Sequence, residues 1–209
     1  MDNPAQLCVL CGNQPATTRE HVPPHSIFPK PKPADLITVP ACSKCNHGTS
    51  REDEKFRTYL SLHVGLDTPA TQALWSNHAL RTLRHNRKLK SSIVTSMRPV
   101  YFRTGSGIIT GKGYGIKWDS QAHKAIMEKI IRGLYFVHSG TVLPPGAEVK
   151  SQWLKELPKG LPDFATWPSG SSGGNAFQYK YSYAAEDPKH SVWVFCFYGR
   201  HWASGYTSP

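Results

Sequence analysis

No stretch of this sequence approaches the roughly 18 uncharged apolar residues that a membrane-spanning helix requires. Its start, MDNPAQLCVL, has neither the basic n-region nor the long apolar run of a signal peptide. These absences point to a soluble, cytoplasmic protein with no membrane partner. Acidic residues are scarce as well: 14 Asp and Glu stand against 25 Lys and Arg, a formal net charge of +11. Such a surface favours a polyanion, because each phosphate neutralised by Lys or Arg releases condensed counterions. The scarcity is sharpest over residues 81–103, where Arg81, Arg84, Arg87, Lys88, Lys90, Arg98 and Arg103 occur without a single acid. No internal repeat is visible. Apolar residues are not lacking: 39% hydrophobic and 11% aromatic residues suffice for a buried core.

Cysteine is sparse but patterned. Four of the five cysteines form the pairs Cys8-Val-Leu-Cys11 and Cys42-Ser-Lys-Cys45, which bracket a 30-residue loop. Without a secretion signal, thiols paired at this spacing point to a metal rather than to disulfides. Two such knuckles can present four thiolates tetrahedrally to one Zn²⁺, a closed and therefore structural site. Residues 1–55 are poor in long apolar runs, so that metal supplies much of their folding energy. Cys196 lies in the apolar run 191–198 and reads as a small buried hydrophobe.

Periodicity predicts a helix over 50–64, capped by Ser50 and carrying Phe56, Leu60 and Val64 at helical spacing, and a second from Pro69. Strand-like runs follow at Ile93–Val94, Val100–Phe102 and Ile108–Trp118. Residues 120–137 form the clearest helix, with Ser120 as N-cap, expected to pack against a sheet. The Pro-punctuated region 140–175 reads as loops, and two final strands are expected at 177–183 and 192–198.

Inside the cysteine loop stands Thr18-Arg-Glu-His-Val-Pro-Pro-His25, and Asn46 follows the last cysteine of the second pair. A carboxylate–His pair between two C-x-x-C pairs, a strand-like Leu36-Ile37-Thr38-Val39, and Cys42-Ser-Lys-Cys45-Asn46 together resemble the HNH nuclease family, over about a quarter of the chain. Three departures stand out. Glu20 replaces the family's Asp, Thr38 stands in for its central Asn, and Arg51 takes the place of a nearby Lys.

The resemblance implies an α+β chain: a zinc-stapled ββα-metal (HNH) module over residues 1–66, followed by a mixed α+β region over 67–209 that selects substrate. It implies a metal-dependent endonuclease acting on nucleic acid, DNA favoured over RNA. His21 is then the general base, and Glu20 with Asn46 hold a catalytic Mg²⁺ or Mn²⁺. Cys8, Cys11, Cys42 and Cys45 hold structural zinc, and Arg51, Arg84, Arg87 and Lys88 bind substrate phosphates. His25 and His47 stand beside this set as alternative ligands. Two other readings compete: a non-catalytic zinc module that binds nucleic acid or protein, and a fold that has lost its activity.

Overall fold

The computed structural model describes residues 6–157 and 163–209. Pro158 and Pro162 of the expected loop region, and the first five residues of the expected module, lie outside the described residues. The chain is mixed α+β. Strands β1 (Thr18–Val22) and β2 (Ile37–Ala41) pair antiparallel, with Glu20 opposite Val39 and His21 opposite Thr38. The β-branched Thr18, Val22, Ile37, Thr38 and Val39 suit that extended pair.

A short helix α1 (Ser43–His47) carries the second cysteine pair into α2 (Ser50–Val64). Asn46 therefore sits in the last turn of α1 rather than opening the long helix. The cap position of α2 is Thr49, and Ser50 Oγ instead donates to the His47 carbonyl at 2.7 Å. Helices α3 (Pro69–Leu74) and α4 (Leu80–His85) are continuous through a π-helical segment, Trp75–Ala79. Helix α5 (Arg87–Ser96) replaces the strand expected at Ile93–Val94. Asn86 caps it by accepting the Leu89 N–H at 3.0 Å, and Leu89 and Ile93, one turn apart, are its buried residues. A two-stranded ribbon follows, β3 (Arg98–Arg103) and β4 (Ile109–Gly115).

Helix α6 (Ser120–Ser139) is capped by Asp119, whose Oδ1 accepts the Ala122 N–H at 3.0 Å, so the cap lies one residue before the expected Ser120. It packs on an antiparallel sheet of β5 (Glu148–Leu154), β6 (Ser169–Ser172), β7 (Phe177–Tyr183), β8 (Ser191–Phe197) and β9 (His201–Ser208), in the order β5-β9-β8-β7-β6. Three of these elements correct the sequence reading. The loop region holds two strands, β5 and β6, and a third final strand, β9, follows the expected pair. In β9 the inward positions are His201, Ala203, Gly205 and Thr207, too small and polar to register as an apolar alternation. No helix among the described residues is long and apolar enough to cross a membrane.

One hydrophobic cluster joins Val9, Val22 and Val39 of the hairpin region to Ile126, Ile130 and Leu134 of α6 and to Trp193, Phe195 and Phe197 of the sheet. Residues on both sides of position 66 thus share a core. Two glycines set the spacing. A Cβ on Gly205 would lie 2.4 Å from Ile131 Cδ1, and one on Gly133 would lie 2.4 Å from Val22 Cγ2. Helix α6 therefore lies tight against β9 on one side and β1 on the other.

Behind α2, His63, His123 and His201 gather around Trp118, with His201 stacked on the indole at a centroid separation of 4.8 Å. Burial, aided by the neighbouring His123 and His63, holds His201 down to about 2, and burial holds His123 down to about 4. In the unfolded chain both titrate near 6.5. Their folded values are depressed, so the unfolded state takes up protons first and stability falls as the pH drops below about 6.5. Asp53, raised to about 6, offsets part of this. We expect these three groups together to lose roughly 2–3 kcal/mol between pH 7 and pH 5, with the depressed imidazoles of His25, His63, His78 and His138 adding in the same direction. Urea midpoints measured across that range check it, and a flat profile would contradict it.

Candidate active site and metal centre

The metal centre is built by two tight knuckles. Gly12 N–H donates to the Cys8 carbonyl at 2.8 Å with Gly12 at φ +68°, and Cys45 N–H donates to Cys42 Sγ at 3.4 Å. Val9 N–H bonds the Pro40 carbonyl at 2.9 Å, fastening the first knuckle to the strand that leads into the second. The four Sγ atoms of Cys8, Cys11, Cys42 and Cys45 lie within 4.8 Å of one another. A tetrahedral Zn–S bond of about 2.3 Å asks for sulfurs about 3.8 Å apart, so the donor set fits a metal ion such as zinc. Burial first, then hydrogen bonding and charge from the neighbouring cysteines, push the Cys45 thiol up. Four thiolates can share this space only around a cation. Cys196 stands apart, buried in β8, its thiol pushed up to about 11 by burial.

The hairpin divides the carboxylate–His pair between two environments. Along β1 the side chains alternate, so Glu20 is buried and His21 is half-exposed. The close approach of Val22 to Gly133 brings Glu20, two residues earlier on the same strand face, against Lys129, one turn earlier on α6. Lys129 Nζ lies 3.3 Å from Glu20 Oε2 and 3.7 Å from Asp53 Oδ2 of α2, with Glu20 and Lys129 both almost wholly enclosed. Burial raises Asp53 to about 6 against the opposing pull of Lys129, with Glu20 pushing the same way as burial. Glu20 Oε2, Asp53 Oδ1 and Lys129 Nζ have no hydrogen-bond partner. Two carboxylates therefore share one ammonium in a polar pocket that is not fully satisfied.

Replacing Lys129 with Met should destabilise the fold by about 3–5 kcal/mol at neutral pH, because it leaves two carboxylates buried together without a counter-charge. Denaturant unfolding measures this. A loss below about 1 kcal/mol would show that the three groups are not energetically coupled.

Asn46 is half-buried, and its Nδ2 donates to Thr18 Oγ1 at 3.0 Å and to the Arg19 carbonyl at 3.1 Å. Thr18 shares a strand face with Glu20, so Asn46 ties α1 to that end of β1, and its Oδ1 is the end left for a ligand. Thr38 Oγ1 accepts from Arg19 Nε at 2.9 Å and Nη2 at 2.8 Å, a contact across the exposed face of the hairpin. Of the other expected residues, His47 binds back to the Ser43 carbonyl at 3.0 Å, and Arg51, Arg84, Arg87 and Lys88 are exposed on α2, α4 and α5.

Beside His21 stands a group that sequence reasoning did not assemble: two imidazoles, His25 and His78, with the cations Lys32 and Arg57 around them. His25 lies next to His21, ring centroids 5.1 Å apart. Desolvation, then the charges of Lys32, His21 and Arg57, hold His25 below its ordinary value. Desolvation and then Arg57, Lys32, Lys30 and His25 hold His78 down to about 4. Lys32 Nζ donates to the His25 carbonyl at 2.8 Å and to the Phe28 carbonyl, and Arg57 Nη2 donates to Thr82 Oγ1 at 3.0 Å. Arg57 Nε and His78 Nε2 are buried without partners. His78 projects from the π-helical segment, a distortion that recurs at functional sites.

Signals for some of these residues were present. Arg57 follows Asp53 at i+4 on α2, and Lys129 sits between Ile126 and Gly133 on the packed side of α6. A cavity of about 990 Å³ lies elsewhere, lined by Trp167, Tyr183, His190 and Tyr206 among others, and none of the candidate residues lines it.

Comparison with protein-family models, curated proteins and solved structures found no match to this chain.

Proposed function

We propose that this chain is a metal-dependent nuclease of the HNH type that hydrolyses phosphodiester bonds in nucleic acid, DNA ahead of RNA. The observation that carries the reading is the neighbourhood of His21: a half-buried imidazole beside His25, around which the Lys32 and Arg57 cations gather. A phosphodiester seated there would meet cationic donors on one side and a base able to take a proton from water on the other. The zinc knuckles fix the hairpin that carries His21. Exposed Arg51, Arg84, Arg87 and Lys88 would hold flanking phosphates.

The oxygen donors of Glu20, Asn46 and Asp53 suit a hard cation such as Mg²⁺ or Mn²⁺. Asp53 Oδ1, which has no hydrogen-bond partner, fits that need, while Glu20 Oε2 is engaged in its ion pair with Lys129. Lys129 neutralises only one of the two carboxylates, which leaves a negative charge for a cation to balance. When bound, such a cation would stabilise the charge that grows on the phosphate. The proton transfer itself falls to His21.

A second reading, a zinc module that binds nucleic acid without cutting it, is favoured by the same Lys129, since an ammonium already stands against Glu20. Supercoiled DNA, single-stranded DNA and RNA incubated with the purified protein in Mg²⁺, Mn²⁺ or EDTA separate the two. Nicking that requires the divalent ion supports the nuclease, whereas binding without cleavage in every condition supports the second reading.

A further inference from the structure

The β3–β4 ribbon is an arm rather than a part of the core. It pairs only with itself, every residue of β3 is exposed, and no residue of β4 is buried. Its root is fixed, because Ile116 and Trp118 pack against Tyr59, Leu89 and Ile93, and Lys117 N–H donates to Ser96 Oγ at 3.2 Å. Beyond that root, six of the thirteen exposed large hydrophobics of the described residues fall within residues 100–114: Val100, Tyr101, Phe102, Ile108, Ile109 and Tyr114. An exposed apolar concentration of this kind marks a binding surface.

The two faces of the ribbon differ. Phe102 pairs with Gly111, Val100 with Gly113 and Arg98 with Gly115, so one face sets side chains of β3 against a row of glycines. The Phe102 ring spreads over that row: a Cβ on Gly113 would lie 3.1 Å from Phe102 Cε2. The ring lies down on the sheet while remaining 59% exposed, which makes a flat platform. The other face carries Tyr101 beside Lys112 and Pro99 beside Tyr114. Around both faces the charge has one sign. Arg98, Arg103, Lys112 and Lys117 are accompanied by no acid anywhere between Asp67 and Asp119.

We propose that this ribbon binds single-stranded or locally unpaired nucleic acid, with bases stacking on Tyr101 and Tyr114 on one face and on the Phe102 platform of the other, and phosphates held by Arg98, Arg103 and Lys112. Flat exposed rings on a sheet, interleaved with cations, suit bases that are free to unstack. A second copy of this chain is the poorer occupant, since ribbon against ribbon would bring like charges together. The inference rests on the nucleic-acid part of the proposed function and not on cleavage.

The test is binding of the full chain, in EDTA, to a fluorescein-labelled 30-nucleotide mixed-sequence DNA strand and to its duplex. The wild type should prefer the single strand. Tyr101→Ala/Tyr114→Ala should weaken single-strand binding about tenfold or more, and adding Phe102→Ala should weaken it further. Neither change should alter the slope of log affinity against log salt. Arg103→Gln/Lys112→Gln should instead flatten that slope by about 1.4. Thermal unfolding of the double tyrosine variant, whose rings are solvent-exposed, shows that the fold is kept.

Single-strand affinity of the aromatic variants within twofold of wild type would overturn the proposal, as would equal affinity for duplex. Sedimentation showing a dimer that the aromatic variants dissolve, or binding to phosphatidylserine vesicles that they abolish, with nucleic-acid affinity unchanged in either case, would overturn it too. Loss of cleavage with stacking intact would count against the nuclease reading alone.

Discussion

Stripping the metal from the four-cysteine site should unfold the segment from Leu7 to about Gly48 and expose the core face of the hairpin. Metal binding in modules of this size contributes about 10–16 kcal/mol at neutral pH, as much as the whole stability of an ordinary domain. Apart from the metal, these residues are held by Val9, Val22, Ile27, Phe28 and Val39 in the shared core and by the hydrogen bonds that the Gly173 N–H donates to Asp35 and the Tyr198 hydroxyl to the Ile27 carbonyl. Val22 and Val39 lie on strands tied together by the knuckles, so losing the metal frees the surface that packs on Gly133 and α6.

We expect about one zinc per chain by elemental analysis. Chelation should bring rapid proteolysis between the cysteine pairs, and Cys42→Ser should behave like the chelated protein. A metal-free wild type with an unchanged unfolding midpoint would contradict this. Because α6 and the sheet keep their own core of Ile126, Ile130, Trp193, Phe195 and Phe197, part of the far-ultraviolet signal should survive.

The second large effect is on chemistry. Replacing His21 with Ala should lower metal-dependent cleavage by about 10²–10⁴-fold while leaving folding and nucleic-acid binding nearly intact. The side chain is half-buried on β1, and the backbone N–H of His21 donates to Glu20 Oε1 at 3.2 Å, a bond that Ala retains. Asn46→Ala should behave differently. It removes two hydrogen bonds to β1, at about 1 kcal/mol each, and should also raise the Mg²⁺ or Mn²⁺ concentration needed for half-maximal activity. Asn46→Asp keeps an oxygen for the cation but loses the donor, so it should recover metal affinity more than stability. Full activity in the His21→Ala protein, measured against a mock purification, would remove His21 from the centre of the mechanism.

Much of the scaffold was legible because its signals are local. The C-x-x-C spacing marks the knuckles, and the recurrence of Phe56, Leu60 and Val64 marks α2. The aromatic alternation of 177–183 and the apolar run 192–198 mark β7 and β8. Where local signals conflict, the reading failed for a physical reason. Ile93-Val94 is β-branched, yet Asn86 caps a helix there and the burial of Leu89 and Ile93 outweighs the propensity. Strand β5, in a region read as loop, is stabilised by a full antiparallel register against β9, a partner that no short window contains.

The candidate site divides in the same way. The sequence by itself determined that four cysteines would gather into a set able to hold a metal, that Glu20 and His21 would face opposite sides of one strand, and that a long stretch would be basic throughout. These follow from spacing, from the period of two in an extended chain, and from composition. Only the tertiary structure decided that Glu20 lies against Lys129 and Asp53, that Arg57, Lys32 and His78 converge near His25, and that the β3–β4 ribbon stands away from the core. Each of those depends on how closely two distant segments can approach. Gly133 sets that distance for Glu20 by admitting Val22 where any side chain would collide, and such an approach leaves no period or spacing in the sequence to read.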